Sequence, residues 1–221
     1  MATRIEILEA TDSTQDVARR LLGPDPVVVV AHHQTRGRGR RGADWVSAPR
    51  SVAVSVAWRP GWPSASLPTL GLVAGLAATD VADVELKWPN DLVRPGGKVG
   101  GILAEGVDGG VVVGLGMNLW WPDAPDGMAA LGVDDPGSEA VVEIGGAWAN
   151  DLLRRAAEGP ERWGRAEYRA KSHTIGRRVA WLPDGQGRAV DVDETGGLVV
   201  ETDDGIVVLR SGEVRELRAV D

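Results

Sequence analysis

The pattern of apolar residues changes near residue 173, and this change divides the chain into two parts. Before residue 173, strand-like apolar runs alternate with segments of helical spacing, which is typical of an α+β fold. From Ile175 onward only short strand-like runs remain, and turns such as Asp203-Asp204-Gly205 separate them. About fifty residues of this kind favour a small β-barrel. We therefore predict an α+β domain over residues 1–172 and a β-barrel domain over residues 173–221.

The periodicity of the apolar residues predicts the individual elements. Val27 to Ala31 is a continuous apolar run and indicates a buried strand. Asp12, Ser13 and Thr14 are candidate N-caps for a helix that ends near Leu22. The other predicted helices are 67–80, 139–157 and 161–170, and the other predicted strands are 5–8, 52–58, 84–88, 99–104, 111–119, 178–182, 189–193, 197–202, 205–209 and 213–217. Strands 84–88 and 99–104 are expected to form a hairpin.

Composition excludes several classes of function. The formal net charge of −8 argues against a general binder of nucleic acid or anionic membranes, because no basic field dominates. The chain contains no Cys, which excludes disulfides and thiolate catalysis. No signal peptide is expected, because the first residues carry acids and no apolar run. No window approaches the roughly 18 apolar residues of a membrane span. We therefore expect a cytoplasmic protein with no membrane partner.

The segment Arg36-Gly37-Arg38-Gly39-Arg40-Arg41-Gly42 concentrates four guanidinium groups and three glycines in seven residues. Repulsion between the arginines and the freedom of the glycines make such a loop costly to order by itself. An anion reverses this balance, because guanidinium groups pair with phosphate and glycines allow close approach of backbone N–H groups. The alternative is a solvated basic loop or a short nucleic-acid-binding stretch.

Three further segments carry chemical groups, each with a simpler structural alternative. Asp91, in Lys87-Trp88-Pro89-Asn90-Asp91, is suited to hold a metal, orient a substrate or accept a proton; an Asx turn is the alternative. Lys98 lies beside Gly100 and Gly101 and can reach an anion, or it can be an ordinary exposed hairpin lysine. Gly114 and Gly116 lie in a predicted strand, which indicates close approach by a ligand or another chain; a role in packing alone is the alternative. His32 and His33 are interpreted as structural.

Together these segments, in this order, resemble the biotin protein ligases. The family pattern runs DSTN, then Q-x2-GRGRRGR-x-W, KWPND, K-x-GGIL-x-E and G-x-G-x-N. The corresponding residues here are Asp12 to Gln15, Gln34 to Trp45, Lys87 to Asp91, Lys98 to Glu105 and Gly114 to Asn118. Each motif is weak alone, but five in sequence are highly specific. Six of the chain's nine Lys, Asn and Gln residues lie in them: Gln15, Gln34, Lys87, Asn90, Lys98 and Asn118.

The resemblance implies a fold and marks three departures. The implied fold is a mixed sheet with helices, similar to class II aminoacyl-tRNA synthetases and biotin ligases, followed by a small SH3-like β-barrel. Gln15 replaces the usual Asn, and Ala43-Asp44 replaces the usual Arg-x before Trp45. The residues before Asp12 leave no room for the DNA-binding domain that some members carry. We therefore expect the form without that domain, and no DNA partner.

The resemblance also implies roles for residues. The implied catalytic residues are Lys98, Asp91, Arg38 and Arg40. Those for biotin are Ser13, Thr14, Gln15, Gln34, Arg38, Gly39, Arg40, Lys98, Gly100 and Gly101. Those for ATP are Arg38, Arg40, Arg41, Trp45, Lys87, Asn90, Lys98, Asn118 and Arg218, with Asn90 also near the magnesium ion.

The implied reaction activates biotin with ATP and magnesium as biotinyl-AMP and transfers it to a lysine of a biotin carboxyl carrier protein. Two alternatives remain at this point. A related lipoate or octanoate ligase shares the fold but has a different arginine–glycine motif. A non-catalytic nucleotide- or nucleic-acid-binding module would use the arginine loop alone. The sequence does not indicate an oligomeric state.

Overall fold

A computed structural model of the chain describes residues 3–210 and the backbone of residues 217–219. The strands of the first part are β1 (Arg4–Thr11), β2 (Val27–Gln34), β3 (Gly37–Arg38), β4 (Asp44–Trp45), β5 (Arg50–Trp58), β6 (Glu85–Lys87), β7 (Asp91–Arg94), β8 (Gly97–Val107) and β9 (Gly110–Trp120). Its helices are α1 (Thr14–Leu21), α2 (Leu70–Val81), α3 (Ser138–Ala157) and α4 (Arg165–Ala170).

Seven of these strands form one sheet in the order β1-β2-β5-β9-β8-β7-β6. The β1–β2 pair is parallel, and the other neighbours are antiparallel, so the sheet is mixed as predicted. The short strands β3 and β4 form a separate two-stranded ribbon.

The valine run of β2 is buried on both faces of this sheet. Val28 and Val30 face the core formed with α2 and α3, whereas Val27 and Val29 pack in the core that includes Ala18 of α1. Full burial of each such side chain contributes on the order of 1.5–3 kcal/mol. The continuous apolar run therefore reflects helices on both sides of the strand, as a fully buried strand requires.

Helix α2 belongs to a stretch that is long and apolar enough to resemble a membrane-spanning helix. Together with the 3₁₀ turn Ser64–Thr69 before it, it forms an 18-residue stretch, Ser64–Val81, with a mean hydropathy of 1.2. By length and composition alone this stretch could cross a membrane, although it also contains Ser, Thr, Pro and Asp residues and half of it is buried inside the protein. Leu70, Val73 and Leu76 are fully buried in the main core, so α2 has the character of a core helix.

The structure corrects two other predictions. The expected hairpin contains an additional strand, because β7 lies between β6 and β8 and pairs with both. The helix predicted over 161–170 is interrupted, because Gly164 has a left-handed φ of 93° and separates the 3₁₀ turn Pro160–Arg162 from α4. Helix α3 is continuous despite its two glycines, since Gly145 lies against Val52 and Val54 of β5.

The second part is a five-stranded antiparallel sheet in the order β13-β12-β11-β10-β14. Its strands are β10 (Arg178–Trp181), β11 (Gly185–Val192), β12 (Leu198–Thr202), β13 (Gly205–Leu209) and β14 (Leu217–Ala219). The strands predicted at 178–182, 189–193, 197–202 and 205–209 are confirmed. Most of the strand predicted at 213–217 lies outside the described residues.

Arg155 joins three helices of the first part. Its guanidinium group contacts Asp80 of α2 at 2.5 Å, Asp151 of α3 at 2.6 Å and Glu167 of α4 at 2.8 Å. The hydrogen bonds from Arg155 hold the pKa of Glu167 below its ordinary value. This network fixes α4, and the segment that leaves α4 pairs with β6 through a bridge between Ser172 and Leu86.

Candidate active site

A cleft of about 240 Å³ opens on the α1 face of the sheet, beside strands β8 and β9. It brings together residues from all five sequence motifs and from the strand β5. Its lining includes Ser13, Thr14, Gln15, Gln34, Arg38, Gly39, Arg40, Trp45, Ser55, Asn90, Asp91, Lys98, Gly101, Gly114 and Gly116. Two cations of the arginine loop, Arg38 and Arg40, therefore face the same cavity as Lys98.

Hydrogen bonds among Thr14, Gln34, Ser55 and Gln15 order the polar end of the cleft. The backbone N–H and the hydroxyl of Thr14 donate to Gln34 Oε1 at 2.8 and 3.1 Å. The hydroxyls of Thr14 and Ser55 lie 2.9 Å apart, and Ser55 donates to Gln15 Oε1 at 3.1 Å. This network presents an amide and hydroxyl surface to a ligand. The nearby hydroxyl of Ser13 is buried and has no partner among the described residues.

The side chain of Gln15, longer than the Asn usual at this position, reaches β8 and β9. Its amide nitrogen donates to Glu105 Oε2 at 3.1 Å and to the Val112 carbonyl at 3.2 Å. A side chain at Gly114 would meet Gln15 Oε1, because a Cβ built there lies 2.6 Å from that oxygen. The glycine that the sequence marked for close approach thus accommodates the Gln15 side chain.

The arginine loop lies against the cleft through ion pairs and one amide contact. Arg38 contacts Asp16 at 2.8 Å and Glu105 at 2.9 Å. Arg40 donates to Asn90 Oδ1 at 3.0 Å, and burial lowers the pKa of Arg40. These contacts place two guanidinium groups at the rim of the cavity.

The indole of Trp45 packs against Gly101 of β8 and Gly116 of β9. A Cβ at Gly116 would lie 2.6 Å from the Trp45 indole, and one at Gly101 would lie 3.5 Å from it. The ammonium group of Lys98 lies 5.6 Å from the centre of the same ring, within reach of a cation–π interaction. The aromatic face and the charge of Lys98 therefore border one space.

Lys98 and Asp91 form an ion pair in the cleft, with Nζ and Oδ1 separated by 2.5 Å. Both side chains are partly exposed, at 30% and 23%. The pairing follows from the sheet register, since β7 begins at Asp91 and lies directly beside β8, which carries Lys98. A ligand that reaches Lys98 therefore also reaches a carboxylate.

Other predicted site residues lie elsewhere. Lys87 lines a neighbouring cleft of about 440 Å³, together with Lys98, Arg94, His173 and Arg177. Gly100 does not line the small cleft, because its missing side chain makes room for Leu92 and the Gly116 carbonyl on the other face of β8.

Two of the remaining predicted nucleotide contacts, Asn118 and Arg41, do not line either cleft. Asn118 is fully buried in β9, where Nδ2 donates to the Ala129 carbonyl at 3.0 Å and Oδ1 has no partner among the described residues. Arg41 is exposed with a left-handed φ of 58°. Arg218 pairs through its backbone with Ala180, and its side chain lies outside the described part of the chain.

The predicted magnesium contact at Asn90 does not fit a protein-held metal. Asn90 Oδ1 already accepts from the Arg40 guanidinium, and Nδ2 donates to the Ile102 carbonyl at 3.1 Å. Among the described residues, no group of three or more His, Asp or Glu side chains is arranged to hold a metal ion. A magnesium ion at this cleft would therefore need most of its ligands from a substrate and water.

Three residues of the site were missed by sequence reasoning. Ser55 carries no motif and joins the network only because β5 pairs with β9 opposite Gly114. Asp16 and Glu105 are the counter-ions of Arg38. Glu105 ends one of the quoted motifs, so its position in that pattern was the available signal.

This fold and cleft define an α+β protein in which cations, amides and an aromatic ring line one cavity, followed by an antiparallel β-sheet. Residues 7–119 match the biotin/lipoate A/B protein ligase family, and residues 174–215 match the biotin protein ligase C-terminal domain.

Individual relatives agree with these matches. A biotin–[acetyl-CoA-carboxylase] ligase of Mycobacterium tuberculosis is 38% identical, with 97% of this chain and 90% of the relative covered. The corresponding ligase of Paracoccus denitrificans is 30% identical, with coverage of 94% and 98%. The structure of the Aquifex aeolicus biotin protein ligase in complex with biotin and ATP is 27% identical and covers 98% of this chain and 99% of that one, with a TM-score of 0.82.

The chain belongs to the biotin/lipoate A/B protein ligase family. The predictions of the family, of the α+β fold class and of an ATP-dependent biotin ligase are confirmed.

Proposed function

We propose that biotin occupies the 240 Å³ cleft, with its ring system at the network of Thr14, Gln15 and Ser55 and its carboxylate near Lys98. The fused rings of biotin carry one polar edge, which matches an amide and hydroxyl surface. The single observation that carries this proposal is that Lys98, Arg38 and Arg40 line the same cavity as that network. Ser13, Gln34, Gly39 and Gly101 complete the proposed biotin contacts. We do not extend the proposed site to Gly100, which faces away from the cleft.

ATP would enter beside Trp45, with its α-phosphate between Lys98 and the arginine loop. The outer phosphates would lie toward the basic cleft of Lys87, Arg94 and Arg177, since guanidinium and ammonium groups pair with phosphate oxygens. Asn90, Arg41, Asn118 and Arg218 remain proposed nucleotide contacts. Magnesium would arrive as the counter-ion of ATP, bound mainly by phosphate oxygens and water.

The first step joins two anions, so the cleft must supply positive charge. An oxygen of the biotin carboxylate attacks the α-phosphorus of ATP, the bond to the β-phosphate breaks, and pyrophosphate leaves. Lys98 and Arg40 are placed to stabilise charge on the α-phosphate oxygens. Before ATP binds, Asp16 and Glu105 balance the charge of Arg38. When ATP binds, Arg38 would exchange these carboxylates for the phosphate.

The second step needs a neutral lysine amine. Deprotonating an ordinary lysine at neutral pH spans roughly 3 pKa units, on the order of 4 kcal/mol. Asp91, at the open end of β7, would orient the incoming amine and accept its proton. The amine then attacks the acyl carbon, AMP leaves, and an amide bond remains.

The acceptor we propose is a lysine of a biotin carboxyl carrier protein, docked on the free edge of β8. β7 pairs with β8 only as far as Gly101, and the next outward N–H, at Ile102, bonds to the Asn90 carbonyl. Beyond it, Ala104 and Gly106 are exposed and have no outward strand partner among the described residues. An extended segment can add to such an edge through main-chain hydrogen bonds. Its lysine would then lie near Asp91.

We further propose limits of 1–172 for the catalytic domain and 173–221 for the C-terminal domain, and a cytoplasmic location. The pairing of Ser172 with β6 supports the first limit, because the chain leaves the main sheet directly after it.

The test is acylation of a carrier domain, followed by intact mass spectrometry. With biotin, ATP and magnesium, the carrier should gain one biotinyl group on a single lysine, and lipoate in place of biotin should give no product. Transfer of lipoate in preference to biotin would indicate the other branch of the family. No transfer of either acid would contradict the proposed function.

A further inference from the structure

Trp88 lies between the second domain and the active site. Its side chain is 1% exposed. Its backbone N–H donates to Thr174 Oγ1 at 2.9 Å, and its indole N–H donates to the Gly196 carbonyl at 3.0 Å. Two residues later the chain reaches Asn90, which contacts Arg40. The turn that carries the site is therefore anchored at its beginning by residues beyond position 172.

The turn that receives the Trp88 indole is internally fixed. Asp193 Oδ1 accepts hydrogen bonds from the N–H groups of Thr195 and Gly197, at 2.9 and 2.8 Å. Gly196 has a left-handed φ of 81°, and a Cβ there would lie 2.8 Å from Leu72 of α2. Only glycine allows this turn to approach the first domain so closely. Its carbonyl is consequently a rigid acceptor.

The far end of the same turn carries the contacts proposed for catalysis. The carbonyl of Asn90 accepts from the Ile102 N–H at 2.8 Å, and its side chain accepts from Arg40. Asp91 follows and pairs with Lys98 at 2.5 Å. Since Trp88 and Asp91 are three residues apart, a shift of the indole changes the positions of both contacts.

We propose that Trp88 is a positioning residue for the ligase reaction, and that the second domain acts on the active site through the Gly196 carbonyl. This inference rests on the proposed function. The alternative is that Trp88 only holds the two domains together. Trp163 provides a matched comparison, because it bonds to the same turn but does not lead to the active site. Trp163 donates to the Glu194 carbonyl of the same turn at 2.9 Å and is 4% exposed, but it leads into α4.

The experiment compares Trp88→Phe with Trp163→Phe. Each variant keeps a buried aromatic ring and loses one indole N–H bond to the same turn. We expect a similar fall in Tm for both. Misplacement of catalytic contacts by about 1 Å costs up to about a hundredfold in rate, so kcat for biotin-dependent pyrophosphate exchange should fall roughly tenfold to a hundredfold in Trp88→Phe. The KM for biotin should not change, and Trp163→Phe should keep the wild-type kcat.

A wild-type kcat for folded Trp88→Phe, or an equal loss in Trp163→Phe, would overturn the inference. If Trp88→Phe does not fold, Thr174→Val replaces it, because valine keeps the shape and removes the acceptor of the Trp88 backbone N–H. The same split between kcat and KM is expected there, and its absence would overturn the inference. If the wild type shows no biotin-dependent exchange, both the proposed function and this inference are contradicted. If Trp88→Phe exchanges pyrophosphate at the wild-type rate, only the inference is contradicted.

Discussion

The ammonium group of Lys98 lies 2.5 Å from the carboxylate of Asp91, because the strands that carry them are neighbours in the sheet. This ion pair couples the two proposed chemical steps. In the proposed mechanism, Lys98 stabilises the α-phosphate during the first step, and Asp91 accepts a proton from the incoming amine in the second. In the free enzyme the two groups balance each other's charge. Substrate binding would therefore break this ion pair and leave Lys98 free to contact the phosphate and Asp91 free to contact the amine.

Asp91→Asn should slow transfer more than adenylation. Removal of a general base typically costs about 10²–10⁴-fold, so transfer from preformed biotinyl-AMP should fall by at least about a hundredfold. Adenylation should fall less, through the lost partner of Lys98. Single-turnover kinetics with each substrate separates the two steps. An equal loss in both would argue against the role of Asp91 as a base.

Glu105→Gln should loosen the arginine loop, because Arg38 loses one of its two carboxylate partners. Without ligands, trypsin should cleave the variant faster than the wild type at residues 36–41. Biotin with ATP should protect the loop in both proteins. Glu9→Gln is the control, since Glu9 is exposed and has no ion pair within the described residues. Equal cleavage with and without ligands would show that the loop does not close over the site.

Gly114→Ala should weaken biotin binding. The new methyl group would lie 2.6 Å from Gln15 Oε1 and 3.0 Å from Ser55 Oγ, so the polar network must move. Loss of one or two hydrogen bonds corresponds to about 1–3 kcal/mol, or roughly tenfold to a hundredfold in Kd. Gly146→Ala is a matched control, because a Cβ there meets nothing within 4 Å. Calorimetric titration with biotin measures both, and an unchanged Kd in Gly114→Ala would remove the network from the biotin site.

Arg155→Ala should destabilise the first part of the chain by about 3 kcal/mol at neutral pH, the lower end for a broken buried pair, because two of its three carboxylate partners are a third exposed. Arg154→Ala, on the solvated side with 58% exposure, should cost less than about 1 kcal/mol.

The effect of Arg155→Ala should depend on pH. Arg155 lowers the pKa of Glu167 from an ordinary value of 4.5. The stabilisation is therefore complete above about pH 4.5 and is lost as the pH falls through the lower folded-state pKa. The difference in unfolding free energy between wild type and variant should shrink over that acidic range. Urea unfolding at pH 3 to 7 measures it, and a constant difference would contradict the assignment.

The sequence predicted elements where local pattern and burial agree. The Val27–Val30 run identified β2, and the glycine turns identified the strands of the second part. The strand β7 was missed because its four residues acquire strand structure only through pairing with β6 and β8. Most of the residues that line the 240 Å³ cleft belong to the five sequence motifs. The pairing of Arg38 with Glu105 and the role of Ser55 depend on contacts between residues distant in sequence, which periodicity does not encode.

In the proposed mechanism, Lys98 and the arginine loop converge where the biotin carboxylate meets the α-phosphate of ATP. Biotin-dependent exchange of pyrophosphate into ATP, measured for the wild type and for Lys98→Ala, tests this most directly. The wild type should exchange pyrophosphate with biotin but not with lipoate, and Lys98→Ala should show no exchange while still binding biotin. Near-normal exchange by Lys98→Ala would contradict the account.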